Sequence, residues 1–180
     1  MGILPPGRDR RLYLGISLVD ALGSGTFAPV TVLFLTQIVG LSAVHAGLGL
    51  AIVASVGFAT TPVAGALADR FDARALTMAG FALAGLGFVA YTAVHSFAEF
   101  VVVGIAIEVV DTIASNARKM LIFRIAGGDD RVGLAAYERS VRNAGYGHGG
   151  LLASLALAVG TRDAYGAVLL ANAVSFLLCA

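Results

Sequence analysis

One cysteine, no tryptophan and four prolines occur in 180 residues. A lone Cys179 excludes an internal disulfide framework and a cysteine-based zinc cluster. Charge is also scarce: 13% of residues are Asp, Glu, Lys or Arg, about half the share of an ordinary soluble domain. The net charge of +1 offers no electrostatic ground for a nucleic-acid partner. What remains is apolar, with 58% hydrophobic residues and a mean hydropathy of +0.89. An excess spread along the whole chain points to an integral membrane protein, not a soluble domain with one anchor.

Six apolar segments, at about 12–37, 44–68, 75–94, 97–117, 139–160 and 164–180, each approach the roughly 20 residues that cross a bilayer. Residues 1–11 form a short N-terminal segment with Arg8, Arg10 and Arg11. The run that follows is too long for a signal peptide and carries Asp20, so it reads as a retained first helix. Of the twelve Lys and Arg, all but Arg162 fall at the N-terminus or on even-numbered connections. The positive-inside rule makes that side cytoplasmic, which places a multi-pass protein in the cell membrane with its N-terminus inside. Residues 118–138 are expected as a cytoplasmic loop, with a short interfacial helix in "RVGLAAYERSVRNAG" leading into the fifth span. The sixth span ends in "SFLLCA" without an anchoring flank, and the chain reads as half of a larger bundle.

The connection "GALADRFDARAL" crowds Asp69, Arg70, Asp72 and Arg74 between two greasy helices. Topology explains the arginines but not the acids, which contribute little to orientation. Gly65, one turn before Asp69, would let another helix come close enough for the aspartate to reach its free N–H groups. Gly65, Asp69, Arg70 and Arg74 resemble the G-x-x-x-D-R/K-x-G-R-R/K signature of the major facilitator superfamily, in the matching loop between helices two and three. Asp72 stands where that signature has glycine, a position expected to need positive φ, and Ala73 where it has a basic residue. "LGSGTFAPVTVLFLTQIVGLSAVHAGLGL" and "YERSVRNAGYGHGGLLASLALA" are similar to actinobacterial drug-efflux-like members of that superfamily.

The resemblance implies an all-α membrane fold: six transmembrane helices, the N-terminal half of a twelve-helix protein, built as a 3+3 inverted repeat. It implies alternating access, proton-coupled efflux of a small-molecule substrate, and a missing C-terminal half or partner bundle. The signature would lock the two halves on the cytoplasmic side. Helices one and four would line a central cavity, and three and six would face lipid. The alternative is a non-transporting truncated half or subunit that assembles with a partner. Two departures stand out: helix four has no arginine between Phe97 and Ala117, and helix five lacks the Gly-Pro common in antiporters.

Asp20, Glu108 and Asp111 lie inside predicted spans, where an acid costs about 2.5–3.5 kcal/mol at a helix centre. Each therefore needs a cavity or a partner. Ser17, Asp20, Ser24 and Thr31 form one polar stripe on helix one, and Glu108, Asp111, Thr112, Ser115 and Lys119 another on helix four. A carboxyl in such a cavity can load and release a proton, because desolvation favours its neutral form. The competing role is structural: Asp111 or Glu108 neutralises Arg118 or Arg142, and Asp20 caps backbone loosened by "GSG" and Pro29. "GYGHGG" lacks the preceding strand and following Lys-Ser/Thr of a phosphate loop, so its glycines imply close helix packing. His45, His95 and His148 have no metal-ligand spacing, so no metal or cofactor is expected. A membrane enzyme would need His, Cys or acids clustered at one interface, and none cluster. Phe27, Phe34 and Tyr146 are candidates for an aromatic wall against a hydrophobic cation.

Overall fold

A computed structural model describes residues 7–126 and 131–180, with side chains from 7–122 and 131–180. Among these residues all regular structure is helical: α1 (Arg8–Leu33), α2 (Ala43–Arg70), α3 (Ala73–Tyr91), α4 (Phe97–Ala126), α5 (Arg131–Val159) and α6 (Arg162–Cys179). A π-helical turn, Phe34–Ile38, continues α1 five residues past Pro29.

Short polar residues start α2, α3, α4 and α6. Ser42, Asp72 and Thr161 accept from the backbone N–H three residues on, at 3.2, 2.9 and 3.3 Å, supplying acceptors to otherwise orphaned donors. At α4, Ser96 accepts from Glu99 N–H at 3.3 Å while the Glu99 carboxylate accepts from His95 N–H at 2.8 Å, close to a capping box. Gly160 ends α5 in the left-handed region, at φ 67, with its N–H on the Ala156 carbonyl. The turn at Asp72 does not require positive φ. Asp72 sits at φ −65 and ψ 120 as the α3 N-cap, so an aspartate serves there better than glycine would.

Four helical stretches, Arg8–Ile38, Ala43–Arg70, Ala73–Tyr91 and Arg162–Cys179, are long and apolar enough to cross a membrane. This suggests a membrane protein. α4 and α5 carry Glu108, Asp111, Arg118, Lys119, Glu138, Arg139 and Arg142, and are not among the four. They are also long: the 30 residues of α4 span about 45 Å at 1.5 Å each, against a hydrocarbon core of about 30 Å. This length alters the expected loop at 118–138. α4 runs to Ala126, and the anticipated interfacial helix is the first part of one continuous α5 from Arg131; residues 127–130 lie outside the described set.

α1 packs parallel to α5, and α2 parallel to α4; α3 packs against α4, α6 against α1, and α3 against α6. Exchanging helices one, two and three for four, five and six leaves this scheme unchanged. The two triplets run in opposite directions, with Tyr13 and Leu14 at the start of α1 beside Ile122 near the end of α4. Small residues set the closest approaches. A Cβ on Gly25 would meet the Tyr146 Cα at 2.7 Å, and one on Gly149 would meet Thr26 N at 2.8 Å. Gly145, Gly149 and Ala153 recur every four residues and are buried, so two of the glycines of "GYGHGG" form a packing stripe against α1, while a Cβ on Gly147 or Gly150 would meet nothing within 4 Å. The apolar core gathers Val30, Phe34, Leu35, Tyr91, Phe100, Tyr165 and Leu169 at the end remote from Arg8.

Candidate functional site

The charges of three helices converge at the other end of the bundle. Asp20 on α1 is 3% exposed, and its Oδ2 accepts from Arg118 Nη1 of α4 at 2.6 Å and Arg142 Nη1 of α5 at 2.5 Å. Arg118 is itself only 8% exposed and lies over the Phe81 ring of α3, 5.6 Å from its centroid, a cation–π placement. Arg142 donates from Nη2 to the Tyr146 hydroxyl at 2.8 Å. One turn toward the N-terminus of α5, Glu138 accepts from the Tyr13 hydroxyl of α1 at 3.0 Å. The arginines expected as ion-pair partners are thus paired, but with Asp20. They are bound neither to Glu108 nor to Asp111.

The polar stripe of α1 turns inward. Ser17, Asp20 and Thr31 are buried, and Thr31 donates to the Phe27 carbonyl. Ser24 is half-buried. The stripe of α4 differs: Glu108, Asp111, Thr112 and Ser115 are half-buried and Lys119 is exposed. Glu108 lies across the backbone of α2 at Gly57, where a Cβ would meet its Cγ at 2.6 Å. Asp111 makes no hydrogen bond or ion pair among the described residues, yet interacts electrostatically with Asp20, Arg118 and Arg142.

Between α4 and α5 the helices part into a groove of about 890 Å³, lined by Arg118, Lys119, Arg139, Arg142, Asn143 and Tyr146 among others. Lys119, Arg139, Asn143 and Tyr146 are exposed along it. The other expected aromatics lie elsewhere. Phe34 is 1% exposed in the core, and Phe27 packs edge-on against Phe88 and Tyr91 at 4.8 and 5.5 Å, so both are packing residues.

The α2–α3 turn makes no hydrogen bond to this cluster among the described residues, though Arg74 lines a neighbouring cavity with Tyr13, Phe81 and Arg118. Asp69, Arg70 and Arg74 are exposed, and a Cβ on Gly65 would meet nothing within 4 Å. Those four positions thus lie on an open surface. His45 bonds Ser42, His95 lies 2.7 Å from Arg162, and His148 lies 2.8 Å from the Ala144 carbonyl. No group of three potential metal ligands occurs among the described residues.

Several contacts escaped the sequence reading, the Tyr13–Glu138 bond among them. Arg142 and Tyr146 stand four residues apart on one helix, a spacing that could have revealed their pairing. Phe81 beneath Arg118 left no such trace, since 37 residues and a helix reversal separate them. No protein-family model and no curated protein matches the chain.

Proposed function

We propose that the chain is the N-terminal six-helix half of a secondary active transporter of the major facilitator type. It would move a small molecule across the cytoplasmic membrane by alternating access, with proton-coupled efflux as the working mode. The observation that carries the reading is the packing scheme, in which two oppositely directed triplets exchange without changing any helix partnership. Inverted repeats of this kind place binding sites at the repeat interface and let one bundle rock against another. The Gly65, Asp69, Arg70 and Arg74 signature supports it, because those residues lie open at a bundle end, ready for a second bundle. The half-buried Glu108 and Asp111, free of ion pairs among the described residues, are the proton-carrying candidates; Asp20, held by two arginines, is a structural anchor.

The test is flux through the native polypeptide in proteoliposomes. Its mass is first established in its own membranes with an antibody to the N-terminal residues. The proposal expects a chain near twice 18.3 kDa, or this chain with a bound second bundle, and proton movement driven by ethidium, benzoate or inorganic phosphate. That movement should fall at least tenfold in Glu108→Gln or Asp111→Asn. A chain that stays alone at its own mass and moves none of the three overturns the proposal in favour of a non-transporting subunit.

A further inference from the structure

The ion cluster is unbalanced. Arg118 and Arg142 share a single carboxylate oxygen, Asp20 Oδ2, so the contact group of three carries a net positive charge, which Asp111 and Glu138 offset only at longer range and without an ion pair among the described residues. A buried charge is costly unless it is paired in contact, and here two guanidiniums share one contacting acid. Topology does not account for this. The positive-inside rule asks only that basic residues lie at the cytoplasmic end, as Lys119 and Arg139 do on the groove rim. It does not ask that Arg118 be more than nine-tenths buried, or that Arg142 share its acid.

The hydrogen-bond inventory shows which way the surplus faces. Of the five N–H groups on a guanidinium, Arg142 commits one to Asp20 and one to Tyr146, and Arg118 commits one to Asp20. Because the Tyr146 oxygen accepts from Arg142, its own O–H is left to donate. Asn143, Lys119 and Arg139 add donors along the same groove. Of the acids, Glu138 also lines the groove, where its carboxylate accepts from Tyr13 of α1 and interacts electrostatically with Arg142; Asp20 is occupied, and Asp111 and Glu108 make no hydrogen bond or ion pair to either arginine among the described residues. Val132, Ala135 and Ala136 form an apolar wall beside these donors.

We propose that the groove between α4 and α5 is an anion site, taking a carboxylate or phosphate group on Arg142, Tyr146 and Arg118. The group adds a second negative charge in contact with the arginines and accepts from the uncommitted donors, and the apolar wall takes the body of the molecule. If the transporter reading holds, on which this last step alone rests, the cargo is an organic or phosphate anion and not a lipophilic cation. The same chemistry suits an anionic phospholipid headgroup, since basic pockets between membrane helices on the cytoplasmic side take such groups.

The test uses the purified native polypeptide in neutral detergent. Calorimetric titration with potassium benzoate and with potassium phosphate, at constant ionic strength in chloride, measures soluble anions. Native mass spectrometry with dioleoylphosphatidylglycerol measures the lipid arm. Binding in either arm should weaken at least tenfold in Arg142→Gln and severalfold in Tyr146→Phe, which leaves the Asp20 contacts in place and serves if Arg142→Gln does not fold. Arg162→Gln, at the opposite end of the bundle, should bind as the parent does. A soluble anion bound in this way identifies a solute site, and phosphatidylglycerol alone identifies a headgroup site; both support the proposal. No binding in either arm, or binding that Arg142→Gln and Tyr146→Phe leave unchanged, overturns it. Anion binding without proton-linked flux would sink the transporter reading and keep the site. Ethidium-driven flux without anion binding would do the reverse.

Discussion

Asp20 is the residue on which three helices meet, and its energetic role follows from its partners more than from its own burial. Removing one member of a buried ion pair is worse than removing both, because the survivor keeps its desolvation penalty. Asp20→Asn would strand Arg118, which is 8% exposed, and Arg142 together. It is expected to cost about 3–5 kcal/mol, seen as a large drop in the thermal midpoint in detergent. Asp111→Asn keeps the side chain's shape and removes no hydrogen bond among the described residues, only a longer-range interaction with the cluster, so it should lower that midpoint much less than Asp20→Asn does. If the two variants melted alike, the bridging role of Asp20 would be wrong. The sequence marked Asp20, Arg118 and Arg142 as candidates from their presence in or beside apolar spans. It could not say which acid meets which arginine, because that depends on where the α1 and α4 faces point.

The helices touch at glycine, and the glycines are not equivalent. On α5, Gly149 lies against the backbone of α1 at Leu22 and Thr26, while Gly147 faces open space. Backbone cannot swing aside as a flexible side chain can, so Gly149→Ala must push the two helices apart. Gly147→Ala meets nothing and gains helix propensity of about 0.5–1 kcal/mol. Gly149→Ala is therefore expected to lower the thermal midpoint, and Gly147→Ala to hold or raise it. Equal destabilisation by both would show that the α1–α5 contact is wrongly drawn. The glycine richness of "GYGHGG" was legible as close packing. Its four-residue stripe became a specific contact only when α1 supplied Ala21 and Gly25 opposite. At the α2–α3 turn the reverse happened: a position expected to strain its residue proved to be a helix cap, satisfied by the Asp72 side chain alone.

For the whole molecule, the distribution of basic residues and the helix order make a joint statement about sidedness. Ends of the bundle alternate along the chain, so 34–42, 91–97 and 159–162 share one end, and 70–73 and 131 share the other. Cys179 is buried, so introduced cysteines report cleanly. Val44→Cys and Asp163→Cys, both at exposed positions, should react with a membrane-impermeant maleimide in intact cells. Phe71→Cys, exposed at the opposite end, should react only after permeabilisation. Labelling of all three in intact cells would contradict the inside placement of the basic end. α2 buries little beyond Ala46, Gly49, Gly57, Ala64 and Ala68, and leaves Phe58 at 84% exposure. A helix so thinly covered is at home only against lipid or another bundle.

Apolar run lengths determined that the chain is helical and membrane-compatible, because a bilayer admits few other ways to satisfy backbone polar groups. Charge placement determined its expected orientation, and residue type marked the acids and arginines worth attention. The tertiary structure alone decided that α1 turns its acid inward while α4 leaves its acids half open. It also decided that the two arginines share Asp20 and that a groove opens between α4 and α5. Periodicity tells which residues share a face of one helix. Which face meets which neighbour depends on close packing among several helices at once, and no single segment contains that information.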